Sequence, residues 1–526
     1  MFNYVLNDPT TPDLVIPVEL QIAPNILSFT IDGFSNDIGA MYTLEHQAAM
    51  CHYGLIQAIN LMNKTLRTPI INWSSTTNLI VQPRAGRQFN AYYDRKALRF
   101  FFANDPVNRN TVYAVNSSDV RQHETGHALL DAIRPDLFNL QAFEVWAFHE
   151  AFGDIHAIIN LLQSDFAIDY ILKETNNNLN QSCILSKLAE EMGTAIYDVT
   201  GGRGGHTSGV LRNAYNGFTY IEPEKLPRNT SDDQLSSEPH NFSRVFLGAW
   251  YDILVAIYNF EKSNLPPKEA LIKTRDILTF YTFNAISNAP ATIRFYDSFA
   301  KAILVQDKIN NYAYNQLIND VFIKRNILKQ AVRPMISMRW NEFKPMLEPM
   351  DEVVETPQVA VVRTKNIETL TLPDLMLNIE VPNDTYYEFD SNGDCVDSVT
   401  FSSSEVIEHA RNCVDFLKEK GMIRPDQQTP FEIDANGNLV RSHFACMIGN
   451  CTNFGQPEYN KCWKSQNNAG CGCGGKNKKP TCNNKSSKVI MANIRLQSSN
   501  CGFSNITSSQ NVNLNLNNNS KIKTVC

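Results

Sequence analysis

The sequence predicts an α+β fold, in which strands are mixed with helices in the first part of the chain and helices dominate afterwards. Residues 43–62 (TLEHQAAMCHYGLIQAINLM) carry apolar side chains at helical spacing. The stretches INWSSTTNLIVQ and FNAYYDRKALRFFFA then shift towards β-branched and aromatic residues, which indicates strands and a β-hairpin. Later runs such as FSRVFLGAWYDILVAIYNF and LPPKEALIKTRDILTFYTF are again helical in pattern.

Length and composition set limits on the class of protein. A chain of 526 residues is too long for one ordinary core, so two or three domains are expected. Its 43% hydrophobic and 19% charged residues are typical of a folded globular protein. A formal net charge of −7 argues against a nucleic-acid partner, which needs a basic surface. The N-terminus does not have the pattern of a standard signal peptide, and the sequence contains no membrane-spanning apolar run, so neither is expected.

The segment HETGH, His123–His127, is the first motif that indicates chemistry. In H-E-x-x-H the two histidines lie four residues apart on one face of a helix, where both can bind a single zinc ion. Glu124 then stands beside the metal as a candidate general base. The pattern also occurs in helices that bind no metal, and a catalytic zinc needs a third protein ligand.

Glu150 is the predicted third ligand, on a second helix that we expect over residues 146–162 (WAFHEAFGDIHAIINLL). Asp154 lies one turn later on the same face and can accept the spare ring N–H of a ligand histidine. The ordinary alternative is a polar stripe on a surface helix. Because the neighbouring residues are mostly apolar, this helix should be buried, and buried acids need partners.

With these residues, the sequence resembles the thermolysin family of gluzincin metallopeptidases, whose pattern is H-E-x-x-H followed by E-x-x-x-D on a later helix. Residues 90–94 (NAYYD) are similar to the family's N-A-F-W edge strand, which implies that Asn90 and Ala91 bind the substrate backbone. An ordinary hairpin residue is the alternative for Asn90. Asp119 matches the acid that precedes H-E-x-x-H in the family.

The resemblance also implies roles for Arg212 in LRNAYNG and His240 in HNFSRVFLGAWYDI, which are 28 residues apart as in the family. Arg212 would hold a substrate carbonyl, and His240 would stabilise the oxyanion. The alternatives are a salt-bridging arginine and a histidine that caps a helix start. His206 is a competing candidate for the histidine role, whereas His149 and His156 are expected to be structural.

The sequence departs from the family pattern in several places. The interval between His127 and Glu150 is a few residues longer than usual, and no tyrosine matches the family's oxyanion-stabilising one. Leu235 replaces the acid that should support His240, which leaves Glu238 or Asp233 as substitutes. The sequence does not reveal the acidic cluster of the family's main calcium site, so whether calcium binds stays open.

Taken together, the resemblance implies a two-lobed fold with the H-E-x-x-H helix between a β-rich N-terminal lobe and a helical C-terminal lobe. We expect residues 1–165 and 166–344 to form these lobes, residues 345–440 a linker with a small α/β extension, and residues 441–526 a tail rich in Cys and Asn. The expected activity is zinc-dependent cleavage inside polypeptide substrates. The alternatives are an inactive, metal-stabilised binding or scaffold module and an aminopeptidase, although a G-x-M-E-N-type motif is missing.

The tail contains eight cysteines among polar residues. A segment of this composition cannot bury enough apolar surface to fold unaided. Disulfides, a second zinc site around Cys471 and Cys473, and plain disorder all remain open, and the tail is a candidate for interaction with a partner. The compartment stays unknown, because the cysteines and the family resemblance suit an extracellular setting whereas the lack of a signal pattern does not.

Overall fold

The structure is a computed structural model that describes residues 1–20, 27–200, 209–231, 233–307, 310–329, 367–373, 375–382, 386–389, 395–399, 401–423 and 430–445. The chain divides into two compact units, Met1–Asn460 and Lys461–Cys526, and every described residue belongs to the first. His206, the predicted linker at 345–357 and the eight cysteines of the tail lie outside the described residues. The domain boundaries inferred from the sequence stay a prediction.

Helices make up most of the regular structure. They are α1 (Leu44–Thr65), α2 (Ser118–Ile133), α3 (Phe143–Leu161), α4 (Asp165–Glu174), α5 (Glu190–Thr200), α6 (Pro239–Lys262), α7 (Pro267–Asn288), α8 (Phe295–Asp307), α9 (Asn315–Lys324) and α10 (Ser403–Glu419). The predicted helices around residues 43–62 and 146–162 correspond to α1 and α3, with ends that differ by up to three residues. The H-E-x-x-H motif lies in α2, as predicted.

The strands are short and mostly paired in two-stranded ribbons. They are β1 (Phe2–Val5), β2 (Val15–Val18), β3 (Phe29–Ile31), β4 (Leu79–Gln82), β5 (Ala91–Tyr93), β6 (Ala97–Phe100), β7 (Phe102–Asn104), β8 (Thr111–Tyr113), β9 (Lys187–Leu188), β10 (Arg212–Asn213), β11 (Ile367–Leu372), β12 (Leu377–Pro382), β13 (Tyr386–Phe389), β14 (Cys395–Val399), β15 (Phe431–Ile433), β16 (Leu439–Arg441) and β17 (Phe444–Ala445). The mixture of helix and strand agrees with the predicted α+β class.

The largest sheet is next to the H-E-x-x-H helix. Its strand order is β17-β5-β6-β4-β3; the β3–β4 and β4–β6 pairs are parallel, and β5 pairs antiparallel with both β6 and β17. The β5–β6 pair is the hairpin that the sequence predicted. Tyr93 of β5 is buried and donates a hydrogen bond from its hydroxyl to Oδ2 of Asp131 in α2, at 2.9 Å. This bond ties strand β5 to the last turns of the helix that carries the motif.

Helix α3 lies at the centre of the core. It packs against α2, α6 and α8, and nearly all of its residues are buried because apolar side chains surround it on every face. At its start, Phe143 and Trp146 also join a second apolar cluster with residues of α10, β12 and the β15–β16 hairpin. The predicted hairpin across Asp434–Asn438 is this β15–β16 pair. Residues far apart in sequence are therefore packed directly against the helix that carries Glu150.

Candidate metal centre

Two glycines allow α2 and α3 to approach each other closely. A Cβ added at Gly126 would lie 3.1 Å from Cα of Gly153, and one added at Gly153 would lie 2.6 Å from Nδ1 of His123. Real Cβ atoms essentially never come as close to another atom as 2.6 Å, so any side chain at position 153 would displace the His123 ring. The glycine in E-A-F-G-D is therefore a packing requirement of the site.

The close approach brings His123, His127 and Glu150 together. The two Nε2 atoms are 3.1 Å apart, and the Glu150 carboxylate lies 3.3 Å from Nε2 of His123 and 3.8 Å from Nε2 of His127. With zinc–ligand bonds of about 2.0–2.1 Å, ligand atoms of a tetrahedral site are roughly 3.3 Å apart. All three side chains are buried, and their polar atoms fit the ligand spacing of one metal ion.

Glu124 presents a second carboxylate to the same point. Its oxygens lie close enough that His123, Glu124 and His127 each offer a ligand atom within 4.8 Å of the others, so this trio could also hold a metal. Both Glu124 oxygens are buried and have no hydrogen-bond partner in the described part of the chain. Burial raises the pKa of Glu124 to about 8, and the nearby Glu150 adds to this effect. Oε2 of Glu150 also has no hydrogen-bond partner among the described residues, but the Glu150 carboxylate lies within 3.8 Å of both imidazole Nε2 atoms, so Glu150 suits a ligand and Glu124 a base.

Asp154 fixes the orientation of His123. Its Oδ1 lies 2.8 Å from Nδ1 of His123, which directs Nε2 of that ring towards His127. Arg212 donates to the same carboxylate from Nε at 2.6 Å and from Nη2 at 2.8 Å. Burial alone would raise the pKa of Asp154, but Arg212 and His123 outweigh it and lower the pKa to about 2. A charged acid is thus in contact with the ring, and the predicted role of Asp154 in orienting a zinc ligand stays a prediction. The ion pair that was the ordinary alternative for Arg212 is present, and its contact with a substrate stays a prediction.

His240 reaches the centre from the start of α6. Its Nε2 is 3.4 Å from Oε2 of Glu150, and its Nδ1 is 2.7 Å from Oε1 of Glu238. Glu238 therefore supplies the carboxylate beside His240 that the family has at the position of Leu235. It also caps α6 by accepting a hydrogen bond from the Asn241 backbone N–H at 2.9 Å. Burial lowers the pKa of His240, but Glu150 and Glu238 raise it more, to about 9. The ring is 14% exposed, against 3% for Glu150, so it lies on the more open side of the site.

The remaining candidates occupy distinct positions. Nδ1 of His156 lies 2.7 Å from the Gln122 carbonyl, which ties α3 to α2 in a structural role. His149 is buried, and its ring stacks on Phe444 with centroids 3.9 Å apart. Asn90 is also buried, and its Oδ1 accepts from the Ala91 backbone N–H at 2.9 Å. Asn90 thus directly precedes strand β5, which begins at Ala91, and substrate binding by these two residues stays a prediction.

A cluster of three acidic side chains that the sequence did not reveal lies at the start of α2. Asp8, Asp119 and Glu190 are buried and each offer a carboxylate oxygen within 4.8 Å of the others. Oδ2 of Asp8 and Oε2 of Glu190 have no hydrogen-bond partner within the described ranges. Burial raises the pKa of Asp119 to about 7 and that of Glu190 to about 9, and the neighbouring acids add to both shifts. Carboxylate oxygens are the ligands that calcium prefers, so these residues could hold a hard cation.

No model of a known protein family matches this chain, and neither does any curated protein. The resemblance to the thermolysin family is thus carried by the motifs and their spacing. Among the described residues, no helix is both long enough and apolar enough to cross a membrane.

Proposed function

We propose that this protein is a zinc-dependent endopeptidase of the thermolysin type. The observation that carries the proposal is the convergence of the His123 and His127 Nε2 atoms with the Glu150 carboxylate, beside the unpartnered carboxylate of Glu124. The three residues would hold one zinc ion and leave a position open, as catalytic zinc sites do. When bound, zinc would supply a Lewis acid that polarises the scissile carbonyl and makes water a stronger nucleophile.

The chain's own residues would move the protons. Glu124 would accept a proton from the attacking water and then donate it to the nitrogen of the departing amine. His240, whose Nδ1 lies 2.7 Å from Oε1 of Glu238, would donate a hydrogen bond from Nε2 to the developing oxyanion. Arg212 would hold a substrate carbonyl while remaining paired with Asp154. The substrate backbone would lie along Asn90 and Ala91 at the start of β5, in a cleft between the two proposed lobes.

The direct test is incubation of the purified protein with an unfolded protein substrate, with and without a zinc chelator. Fragments with internal ends that disappear with the chelator and return on addition of zinc are the expected result. Stepwise trimming from the N-terminus would favour the aminopeptidase instead. Binding of zinc without any cleavage would favour the inactive scaffold module, although retention of Glu124 argues against it.

Replacing Gly153 by alanine should reduce metal binding although it replaces none of the proposed ligand residues. The added Cβ would meet the His123 ring at 2.6–2.9 Å, so either the ring or α3 must shift away. Because ligand geometry is strict, we expect zinc affinity to fall by about 10-fold or more, comparable with other losses of ligand orientation. Gly217→Ala is the matched control, since a Cβ there has no neighbour within 4 Å among the described residues. Equal zinc affinity in the two variants would contradict the packing requirement.

We also propose that Asp8, Asp119 and Glu190 bind calcium and stabilise the fold. Their raised pKa values mean that the folded state holds protons that the unfolded state has released. In the absence of calcium, the stability contributed by these acids is therefore full below about pH 4 and is lost as pH rises towards 7–9. Calcium neutralises the charged cluster, so its stabilising effect should grow over the same range.

The measurement is the thermal midpoint at about pH 5 and pH 8, with zinc held constant and calcium present or absent. Calcium at 100 times its Kd contributes about 2.7 kcal/mol of stability, which is readily seen as a shift of the midpoint. The shift should be larger at the higher pH and should disappear in Glu190→Gln. Glu269→Gln, on the exposed side of α7, should retain it. A calcium effect that survives Glu190→Gln would place the ion elsewhere.

A further inference from the structure

Strand β5 would be the outer edge of the five-stranded sheet if residues 444 and 445 were removed. Instead, β17 pairs antiparallel with it, with Phe444 opposite Tyr93 and Ala445 opposite Tyr92. An extended peptide binds to a sheet edge through the backbone N–H and C=O groups of that edge. Since β17 already uses this edge, an added peptide strand and β17 cannot pair with Tyr92 and Tyr93 at the same time.

The side chains of this segment reach the candidate metal centre. The Phe444 ring stacks on His127 with centroids 5.1 Å apart and on His149 at 3.9 Å, and it meets Phe138 edge-on at 5.2 Å. Phe444 is 1% exposed, so it fills an apolar pocket beside a proposed zinc ligand. The neighbouring His443 ring lies 4.6 Å from that of Tyr92. The segment therefore takes both the backbone edge and a side-chain pocket next to His127.

The segment is also held in place by its neighbours in sequence. Arg441, the last residue of β16, lies over the Phe444 ring at 3.9 Å and over Phe431 of the same hairpin at 4.2 Å. Its backbone N–H donates to Oδ1 of Asn139 at 3.3 Å. The β15–β16 hairpin thus delivers β17 to the edge from a cluster packed on α3. Because Phe444 pairs with Tyr93 and Ala445 with Tyr92, β17 runs along β5 in the direction of Ala91 and Asn90.

We propose that residues 442–445 are an autoinhibitory strand that occupies the peptide-binding edge of the active site. This inference rests on the proposed function, because it takes β5 to be the place where a polypeptide substrate adds. The intact chain is then largely latent, and substrate binds only in the fraction of molecules in which β17 has left the edge. Such an internal competitor raises KM and leaves kcat unchanged. If the edge is free in about 10% of molecules, the apparent affinity for substrate is reduced about 10-fold.

The first test measures binding without turnover, in full-length zinc-loaded protein that carries Glu124→Gln. The probe is a fluorescein-labelled unfolded protein, reduced and carboxymethylated, followed by anisotropy. Phe444→Ala removes the ring that fills the pocket and should tighten binding roughly 10-fold. Ile433→Ala is the matched control, since Ile433 lies in β15 of the adjoining hairpin and is 45% exposed. It should leave the affinity unchanged.

A second pair of variants perturbs the strand in the opposite direction. Tyr92 and Ala445 are directly opposite each other in the β5–β17 pair. Opposed residues of antiparallel strands have Cα atoms about 4.5–5.5 Å apart. This distance lies within the range of roughly 4.4–6.8 Å between the Cα atoms of disulfide-bonded cysteines. Tyr92→Cys with Ala445→Cys should therefore lock the strand on the edge when oxidised. The oxidised protein should lose probe binding, and a reducing agent should restore it. Ala445→Cys alone controls for the other cysteines.

The outcomes separate this inference from the proposed function. In the protein with Glu124 intact, Phe444→Ala should lower KM for an unfolded substrate and leave kcat unchanged. Unchanged binding in folded Phe444→Ala, or full binding by the oxidised double-cysteine protein, would overturn the autoinhibitory strand even if peptides are cleaved. If Phe444→Ala does not fold, probe binding by the oxidised double-cysteine protein tests the inference instead. If no variant cleaves any substrate, the peptidase proposal fails, and the binding experiments still show whether β17 covers a peptide-binding edge.

Discussion

Replacing Glu124 by glutamine is expected to leave zinc in place and to reduce peptide hydrolysis by at least about 10²–10⁴-fold, the usual contribution of a general base. The amide has the same shape as the carboxylate but cannot accept and pass on the proton of water. The substitution breaks no protein hydrogen bond within the described chain, because both Glu124 oxygens have no partner there. In the absence of metal, Glu124→Gln should be more stable than the original protein above about pH 5. Burial raises the pKa of Glu124 to about 8, so the charged form of Glu124 destabilises the fold.

The measurement is kcat on an unfolded protein substrate together with the zinc content of the same sample. Glu408→Gln makes the same chemical change at an exposed position of α10 and should behave as the original chain. Retained zinc with lost turnover would assign Glu124 to the chemistry. Turnover within about 10-fold of the original protein would mean that another group acts as the base.

The parts of the site that could be predicted from sequence are those fixed by helical periodicity. His123 and His127 share a face of α2 because they are four residues apart, and the same spacing places Glu150 and Asp154 on one face of α3. The apolar residues around Glu150 predicted a buried helix, and α3 is buried. Such patterns are local, so they can be recognised without knowing how the loop between the two helices folds or how the helices pack.

What could not be predicted depends on contacts between distant segments. The acidic cluster joins Asp8 near the N-terminus, Asp119 at the start of α2 and Glu190 at the start of α5, and no local pattern links these positions. The choice between Glu238 and Asp233 as the partner of His240 depended on the direction of the chain entering α6. Arg212 carries no sequence mark of its ion pair with Asp154, which is formed where β10 passes α3.

Strand β17 is the clearest case of this limit. The hairpin across Asp434–Asn438 was visible as a turn between β-type residues, but only two residues of β17 pair with β5. A two-residue strand has no periodicity, and its partner lies more than 300 residues earlier in the chain. Residues 441–445 stand at the start of the tail predicted from the sequence, and Phe444 and Arg441 contact side chains of α2 and α3. Position in the sequence was therefore a poor guide to position in the fold.

Replacing Glu150 by alanine is expected to abolish both zinc binding and hydrolysis. The substitution removes the carboxylate that lies 3.3 Å from Nε2 of His123 and 3.8 Å from Nε2 of His127, and two histidines alone leave the site without its third ligand. Asp154→Asn should act through His123 and weaken zinc binding by about 10- to 100-fold, as loss of an outer hydrogen-bonding partner usually does. The order of zinc affinity should thus be the original chain, then Asp154→Asn, then Glu150→Ala.

Glu144→Ala separates loss of a ligand from loss of stability on the same helix. Glu144 is also a buried glutamate of α3, but it accepts from the Tyr220 hydroxyl at 2.6 Å and the Tyr296 backbone N–H at 2.9 Å, away from the two imidazoles. Its removal leaves those donors unpaired and should lower the thermal midpoint while zinc stays bound. Zinc content and thermal unfolding of the three variants, measured by metal analysis and calorimetry, distinguish the two effects. If Glu150→Ala kept its zinc while Glu124→Gln lost it, the third ligand would be Glu124, and the roles of the two carboxylates would have to be exchanged.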